Sequence, residues 1–85
     1  MSSSTTKNSI QLTTQQDVKD FCYEMSTLPK CIDIKAISKG GYTVDARSIL
    51  GMFSLDLSNP VDIIFESTES FDTNKITESL TRWAV

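Results

Sequence analysis

The chain has 85 residues, enough for one hydrophobic core and one domain. Hydrophobic residues make up 39% of it and charged residues 22%, and the formal net charge of −3 argues against a basic nucleic-acid-binding surface. The sequence contains no histidine. This excludes phosphohistidine chemistry, serine–histidine and cysteine–histidine nucleophile pairs, and the usual zinc sites.

The cysteines and the first residues indicate the compartment. Cys22 and Cys31 have no histidine or further cysteine that would complete a metal site. A single disulfide is possible, but a secreted domain of this size usually carries more than one. Residues 1–9 lack the apolar core of a signal peptide, and no apolar run approaches the length of a membrane span. We therefore expect a reduced, cytoplasmic protein without a membrane segment, a metal or a cofactor.

The first half of the chain predicts a strand, a helix and a hairpin. Ser9 to Leu12 alternates as a half-buried strand does, with residues 1–8 either a flexible segment or part of that strand. Asp17 is the expected N-cap of an amphipathic helix that ends before Pro29. Its apolar stripe consists of Val18, Phe21, Cys22 and Met25. Two alternating strands follow, at 31–38 and 42–45, and the Lys39-Gly40-Gly41 turn predicts that they form a hairpin.

The second half predicts a short helix, a fourth strand and a last helix. Ser48 is the expected N-cap of a helix that runs to about residue 54, and the strand covers 61–66. Asp72 can cap the last helix, with Phe71 packed against its first turn. The buried stripe of that helix is predicted to be Ile76, Leu80, Trp83 and Ala84.

The predicted element order is therefore β-α-β-β-α-β-α. Strands joined both by a hairpin and by helices indicate an α+β open-faced sandwich. We expect one domain over residues 1–85, with a four-stranded antiparallel sheet and three helices on one face.

One segment resembles a known family. Residues 47–55, RSILGMFSL, resemble the short regulatory helix of HPr, the small phosphocarrier of the bacterial sugar phosphotransferase system. They also resemble the same helix in Crh, a relative of HPr that lacks the active histidine. The resemblance covers about residues 9–84, although its first third matches mostly by spacing. The predicted element order is also that of the HPr-like fold.

The sequence departs from the family at the catalytic segment. Counting back without gaps from Ser48 places the phospho-accepting histidine of HPr at Asp17. The family's Gly-Ile-His-Ala-Arg-Pro-Ala stretch corresponds to QQDVKDF at residues 15–21. Lys19 stands in the position of the active-site arginine, and Asp20 replaces the proline. The resemblance therefore implies an HPr-like fold without the phosphohistidine relay.

Two polar positions are candidate sites. Ser48 is an N-cap on either interpretation, and the resemblance implies that a dedicated ATP-dependent kinase also phosphorylates it, with Arg47 as a neighbouring cation. The phosphorylated form would then bind a catabolite-control transcription factor. Asp17 is either a simple N-cap or an acyl-phosphate acceptor approached by Lys19, although Asp20 would repel an incoming phosphoryl group.

Three apolar residues of the short helix form the candidate protein-binding site. The resemblance implies that Ile49, Leu50 and Phe53 are exposed and dock partner proteins. The alternative is that they belong to the core, as Met52 and Leu55 are expected to do.

The leading hypothesis is a non-enzymatic, HPr-like regulatory protein of a bacterial cytoplasm. Its partners would be phosphotransferase-system components, a serine kinase or a catabolite-control transcription factor, with no nucleic acid and no membrane among them. The first alternative is a phosphocarrier that uses a non-histidine acceptor, and the second is a scaffold that keeps only the fold. The sequence predicts no oligomeric state.

Overall fold

The computed structural model describes residues 4–55, 58–67 and 73–84. Its elements follow the predicted order. They are β1 (Ser4–Ile10), α1 (Gln15–Ser26), β2 (Asp33–Ile37), β3 (Thr43–Asp45), α2 (Ile49–Phe53), β4 (Val61–Ser67) and α3 (Thr73–Leu80). None of the helices in these ranges is long and apolar enough to cross a bilayer.

The four strands form one antiparallel sheet in the order β1-β4-β2-β3. The central strand β4 pairs with all seven residues of β1, from Ser4↔Ser67 to Ile10↔Val61. On its other side β4 pairs with β2, and β2 pairs with β3 through the predicted hairpin. The predicted α+β class and the four-stranded antiparallel sheet are confirmed.

The core lies on one face of this sheet. Alternate residues of β4 are buried, whereas Asp62 and Ile64 between them are partly exposed. The helices add their apolar stripes to the same cluster. The buried helical residues are Val18, Phe21, Cys22 and Met25 of α1, Met52 of α2, and Ile76 and Leu80 of α3. The predicted stripe of α1 is confirmed in full.

The strand boundaries differ from the prediction at the first two strands. β1 runs from Ser4 to Ile10, so residues 4–8 belong to the strand, which is one of the two alternatives left open for residues 1–8, and the strand ends two residues before Leu12. Residues 4–8 are polar, but a strand pairs through its main chain, and β4 supplies that pairing from Ser67 onward. β2 begins at Asp33, not at Cys31, because the chain is still turning there and the Ile32 N–H donates to Pro29 O at 3.1 Å.

The end of the chain corrects one core residue. Trp83 is buried as predicted, but Ala84 is exposed. The reason is that α3 ends at Leu80 and Ala84 forms an isolated antiparallel bridge with Ile10. The predicted Asp72 cap and the Phe71 contact lie outside the described residues.

Candidate functional site

The N-terminus of α1 is a closed hydrogen-bond network. Thr14 is the N-cap, in extended backbone conformation, and its hydroxyl accepts the Asp17 N–H at 3.0 Å. In return, Asp17 Oδ2 accepts the Thr14 N–H at 3.2 Å, the Thr13 N–H at 3.1 Å and the Thr13 hydroxyl at 2.9 Å. The prediction of Asp17 as N-cap is therefore wrong. Asp17 is the third helical residue of a capping box, a position from which a carboxylate reaches back to the free N–H groups.

These bonds also set the charge of Asp17. The hydroxyl of Thr13, followed by its backbone N–H, holds the pKa of the Asp17 carboxyl below its ordinary value. Each of these donors favours the ionised carboxylate. Asp17 is thus an anion that completes the start of α1.

The neighbours of Asp17 do not converge on it as a phosphoryl site would require. Lys19 is exposed. Asp20, expected to repel a phosphoryl group, accepts a hydrogen bond from Gln16 at 2.9 Å and pairs with Arg82 at 3.4 Å. Within the described ranges, no group of three or more histidine, cysteine or acidic residues could hold a metal ion.

Ser48 caps α2, as predicted. Its backbone is extended and its exposed hydroxyl accepts the Gly51 N–H at 3.2 Å. The Met52 N–H donates to the Ser48 carbonyl at 2.9 Å. A Cβ on Gly51 would lie 3.3 Å from both Cβ and Oγ of Ser48 and 3.4 Å from Cβ of Val44. The absence of a side chain at Gly51 therefore allows this close packing of the first turn.

The Arg47 guanidinium is bonded to the backbone around the end of α1. It donates to four carbonyl oxygens, one in the last turn of α1 and three in the segment that joins α1 to β2. These are Met25 O at 3.1 Å, Ile32 O at 2.8 Å, Leu28 O at 3.3 Å and Pro29 O at 2.8 Å. α1 has no basic residue of its own in its last turn, and Arg47 places a cation beside that helix end.

The apolar residues of α2 divide into two faces. Met52 is fully buried and Leu55, just beyond the helix, is 7% exposed, as predicted. Ile49, Leu50 and Phe53 are 38%, 81% and 39% exposed. We call these three residues the α2 patch. Its exposure rules out the alternative in which they belong to the core.

Tyr42 is an exposed aromatic residue that the sequence analysis did not select. It is 75% exposed. Together with the β2–β3 turn and the C-cap of α2, it lines a shallow groove. The lining residues are Ser38, Lys39, Gly40, Tyr42, Ser54 and Asn59. The position of Tyr42 directly after the Gly40-Gly41 turn could have indicated this exposure, because the residues that flank a tight turn usually lie at the surface.

The two cysteines are free and differ in environment. Cys22 is buried, as predicted, and its thiol lies 3.6 Å from the Ala46 carbonyl. Burial, with a smaller contribution from the charge of Asp45, raises the pKa of the Cys22 thiol. Cys31 is exposed.

The two candidate regions differ in what their side chains can do. At the start of α1, the Asp17 carboxylate is already bonded to Thr13 and Thr14. At α2, an apolar surface is exposed on a helix whose opposite face is buried. An exposed apolar surface of this kind is a candidate site for contact with another macromolecule. No protein-family model, no curated protein and no solved structure matches the chain.

Proposed function

We propose that this chain is an HPr-like protein without the phosphohistidine relay, a non-catalytic module that binds other proteins through the α2 patch. The observation that carries the proposal is the exposure of Ile49, Leu50 and Phe53 on one side of a helix whose other side, at Met52, is fully buried. The α+β class with a four-stranded antiparallel sheet and three helices is compatible with the HPr-like fold that the resemblance implies.

The exposed apolar surface of the α2 patch contributes little to the free energy of folding. Leu50, at 81% exposed, gains almost none of the free energy that burial of a leucine provides. A contiguous exposed apolar surface is typical of a binding site for another protein. The α2 patch would gain that free energy when a partner covers it.

The surroundings of α2 favour binding as well. A five-residue helix has little stability of its own. Here the Ser48 cap and the buried Met52 side chain hold it in place. A surface that is ordered before binding loses less entropy when the partner arrives.

The phosphocarrier alternative is disfavoured by the role of Asp17. Phosphorylation on the carboxylate would make an acyl phosphate and disturb the oxygen that accepts hydrogen bonds from Thr13 and Thr14. It would therefore weaken the capping box that begins α1. Lys19, the cation expected to help, is exposed. The scaffold alternative does not explain why the apolar side chains of the α2 patch are exposed.

Phosphorylation of Ser48 is the regulatory part of the proposal. The hydroxyl is exposed and lies at the positive end of α2. A phosphate there would add about −1.5 to −2 charges beside the α2 patch. Its main effect would fall on whatever contacts Leu50 and Phe53. The proposed partners are phosphotransferase-system components, a serine kinase and a catabolite-control transcription factor of a bacterial cytoplasm.

Binding of purified partners to variants of the α2 patch tests the proposal. Isothermal titration would use the first enzyme of a bacterial phosphotransferase system and, separately, a catabolite-control transcription factor. We expect Leu50→Ser to weaken binding at least tenfold. Tyr23→Ser is the matched control, since Tyr23 is 70% exposed on a different helix, and should change the affinity less than twofold. Equal affinities for wild type and Leu50→Ser would refute the proposal.

Two further measurements separate the alternatives. Incubation with the first phosphotransferase enzyme and phosphoenolpyruvate should leave the intact mass unchanged. A gain of about 80 Da, one phosphoryl group, that disappears in Asp17→Asn would establish the phosphocarrier alternative. Ser48→Asp should keep the fold and change the affinity for the transcription factor. If it binds as the wild type does, the regulatory role of Ser48 is wrong.

A further inference from the structure

We propose that Arg47 is a positioning residue for the α2 patch. Its side chain links the start of α2 to the segment between α1 and β2, so that the orientation of the patch depends on hydrogen bonds made far from it in sequence. The functional meaning of this inference rests on the proposed function. The structural coupling does not, and it can be tested without a partner.

The end of α1 lacks a cation of its own. The C-cap Thr27 satisfies its own N–H group with Glu24 O and Met25 O, but the last turn contains no basic residue. The Arg47 guanidinium, 22 residues from Met25 in sequence, donates to the Met25 carbonyl. It therefore supplies from a distance the cation that a helix C-terminus favours.

The same guanidinium fixes the segment that follows α1. It donates to carbonyl oxygens of Leu28, Pro29 and Ile32, which lie 15 to 19 residues before it. Two turn hydrogen bonds also form within this segment, Leu28 N–H to Met25 O at 3.3 Å and Ile32 N–H to Pro29 O at 3.1 Å. The guanidinium thus bonds to both turns at once.

The backbone on both sides of Arg47 is held by hydrogen bonds. Its N–H donates to Asp45 Oδ1 at 2.9 Å, and the next N–H, that of Ser48, donates to Asp45 O at 3.0 Å. Ala46 is fully buried, and its N–H donates to Ile34 O at 3.0 Å. The side chain that bonds to the α1–β2 segment thus extends from a rigid backbone one residue before the α2 cap.

The planar fork of arginine suits this role. A guanidinium carries five N–H donors in fixed directions, and here three nitrogens donate to four oxygens. A lysine ammonium is a single point with three donors and cannot reach four separated carbonyls in this way. Lysine at position 47 should therefore keep the charge and lose most of the coupling.

The consequence for the α2 patch follows from the size of α2. Met52 is the only one of its five residues that is fully buried, and the helix begins at the Ser48 cap directly after Arg47. When the hydrogen bonds of Arg47 are lost, we expect α2 and the α1–β2 segment to open together as one local unit. A partner would then have to order the patch on binding.

Amide hydrogen exchange tests the coupling in the free protein. In Arg47→Met, we expect exchange at least tenfold faster both in residues 27–32 and at the Gly51 and Met52 amides. The amides of β4 should change less than twofold. Arg82→Met is the matched control, because it removes another arginine whose partners, Asp20 and the Trp83 ring, lie outside both segments. It should leave both segments unchanged.

The pattern of faster exchange in the Arg47 variants distinguishes coupling of α2 from simple capping of α1. Faster exchange confined to residues 27–32, with the α2 amides as in the wild type, would show that Arg47 only caps α1 and would overturn the proposal. Faster exchange at α2 that Arg47→Lys fully restores would overturn the requirement for the fork. If Arg47→Met does not fold, Arg47→Lys provides the same measurement, with faster exchange expected in both segments.

Binding then separates this inference from the proposed function. With the catabolite-control transcription factor, Arg47→Met should weaken binding at least threefold in the wild-type background. In a Leu50→Ser background it should add less than twofold, because the patch is already lost. If Leu50→Ser has no effect, the proposed function fails, while the exchange data still decide whether Arg47 couples the two segments.

Discussion

Truncation to alanine should affect the stability of the protein very differently on the two faces of α2. Met52 is fully buried and Leu50 is 81% exposed, although they lie two residues apart in one helix. We expect Met52→Ala to destabilise the protein strongly and Leu50→Ala to leave its stability almost unchanged. Leucine and methionine have similar helix propensities, so the difference isolates burial.

The expected magnitudes follow from burial. Truncating a buried methionine to alanine typically costs about 2–5 kcal/mol, since it loses transfer free energy and leaves a cavity. An exposed substitution usually changes stability by less than about 0.5 kcal/mol. A chain of 85 residues has a total stability of about 4–13 kcal/mol, so Met52→Ala removes a large share of it.

Urea unfolding measures both effects. The chain has one tryptophan, the buried Trp83, whose fluorescence reports global unfolding alongside circular dichroism. Met52→Leu is the control that keeps the volume and should cost less than about 1.5 kcal/mol. A loss above about 1.5 kcal/mol for Leu50→Ala, three times the exposed-site limit, would show that this face of α2 is packed and would refute the proposed docking surface.

The capping box of α1 and the two cysteines can be tested in the same way. Asp17→Asn should lower the free energy of unfolding at neutral pH, because the bonds from Thr13 and Thr14 favour the ionised carboxylate. The difference in free energy from the wild type should disappear as the pH falls through the lowered pKa of the native Asp17 carboxyl. A difference that persists at every pH in urea unfolding would contradict this. Thr14→Ala should cost about 0.5–2 kcal/mol as a lost N-cap, whereas the exposed Gln15→Ala should have little effect; equal midpoints for the two would place the cap elsewhere. Exposed Cys31 should react with iodoacetamide in the native protein and Cys22 only after unfolding, and labelling of both at equal rates by intact mass would refute the burial of Cys22.

The fold could be predicted from the sequence where apolar residues recur with a period. The four buried residues of α1 match one face of that helix, and Ile34 and Ala36 match one face of β2, with Ile32 buried just before it. The pattern left open whether residues 1–8 belong to β1, because residues 4–9 carry no apolar side chain. β1 pairs with β4 through the main chain and through Ser9 and Lys7, whose side chains contact Asp62. A pattern of apolar side chains contains no signal for a strand that is specified in this way.

The site was less predictable because its contacts are long-range or depend on register. Thr14 and Asp17 are both common capping residues, and residue type alone does not say which of them begins the helix. For Arg47 the obstacle is different. Its four acceptors are backbone carbonyls, which every residue has, and they lie 15 to 22 residues away. Only the folded chain shows that these oxygens converge.

The placement of charged groups is the physical argument for the proposed binding role over the phosphocarrier alternative. The anion at the start of α1, Asp17, is paired with N–H and hydroxyl donors, and the cation before α2, Arg47, is paired with carbonyl oxygens. A phosphoryl group arriving at either position would first have to displace bonds that hold a helix end or the α1–β2 segment. The most exposed residue of the α2 patch, Leu50, is 81% exposed and is apolar, so covering its side chain displaces no hydrogen bond. A partner that covers it gains apolar burial without breaking a bond of the domain.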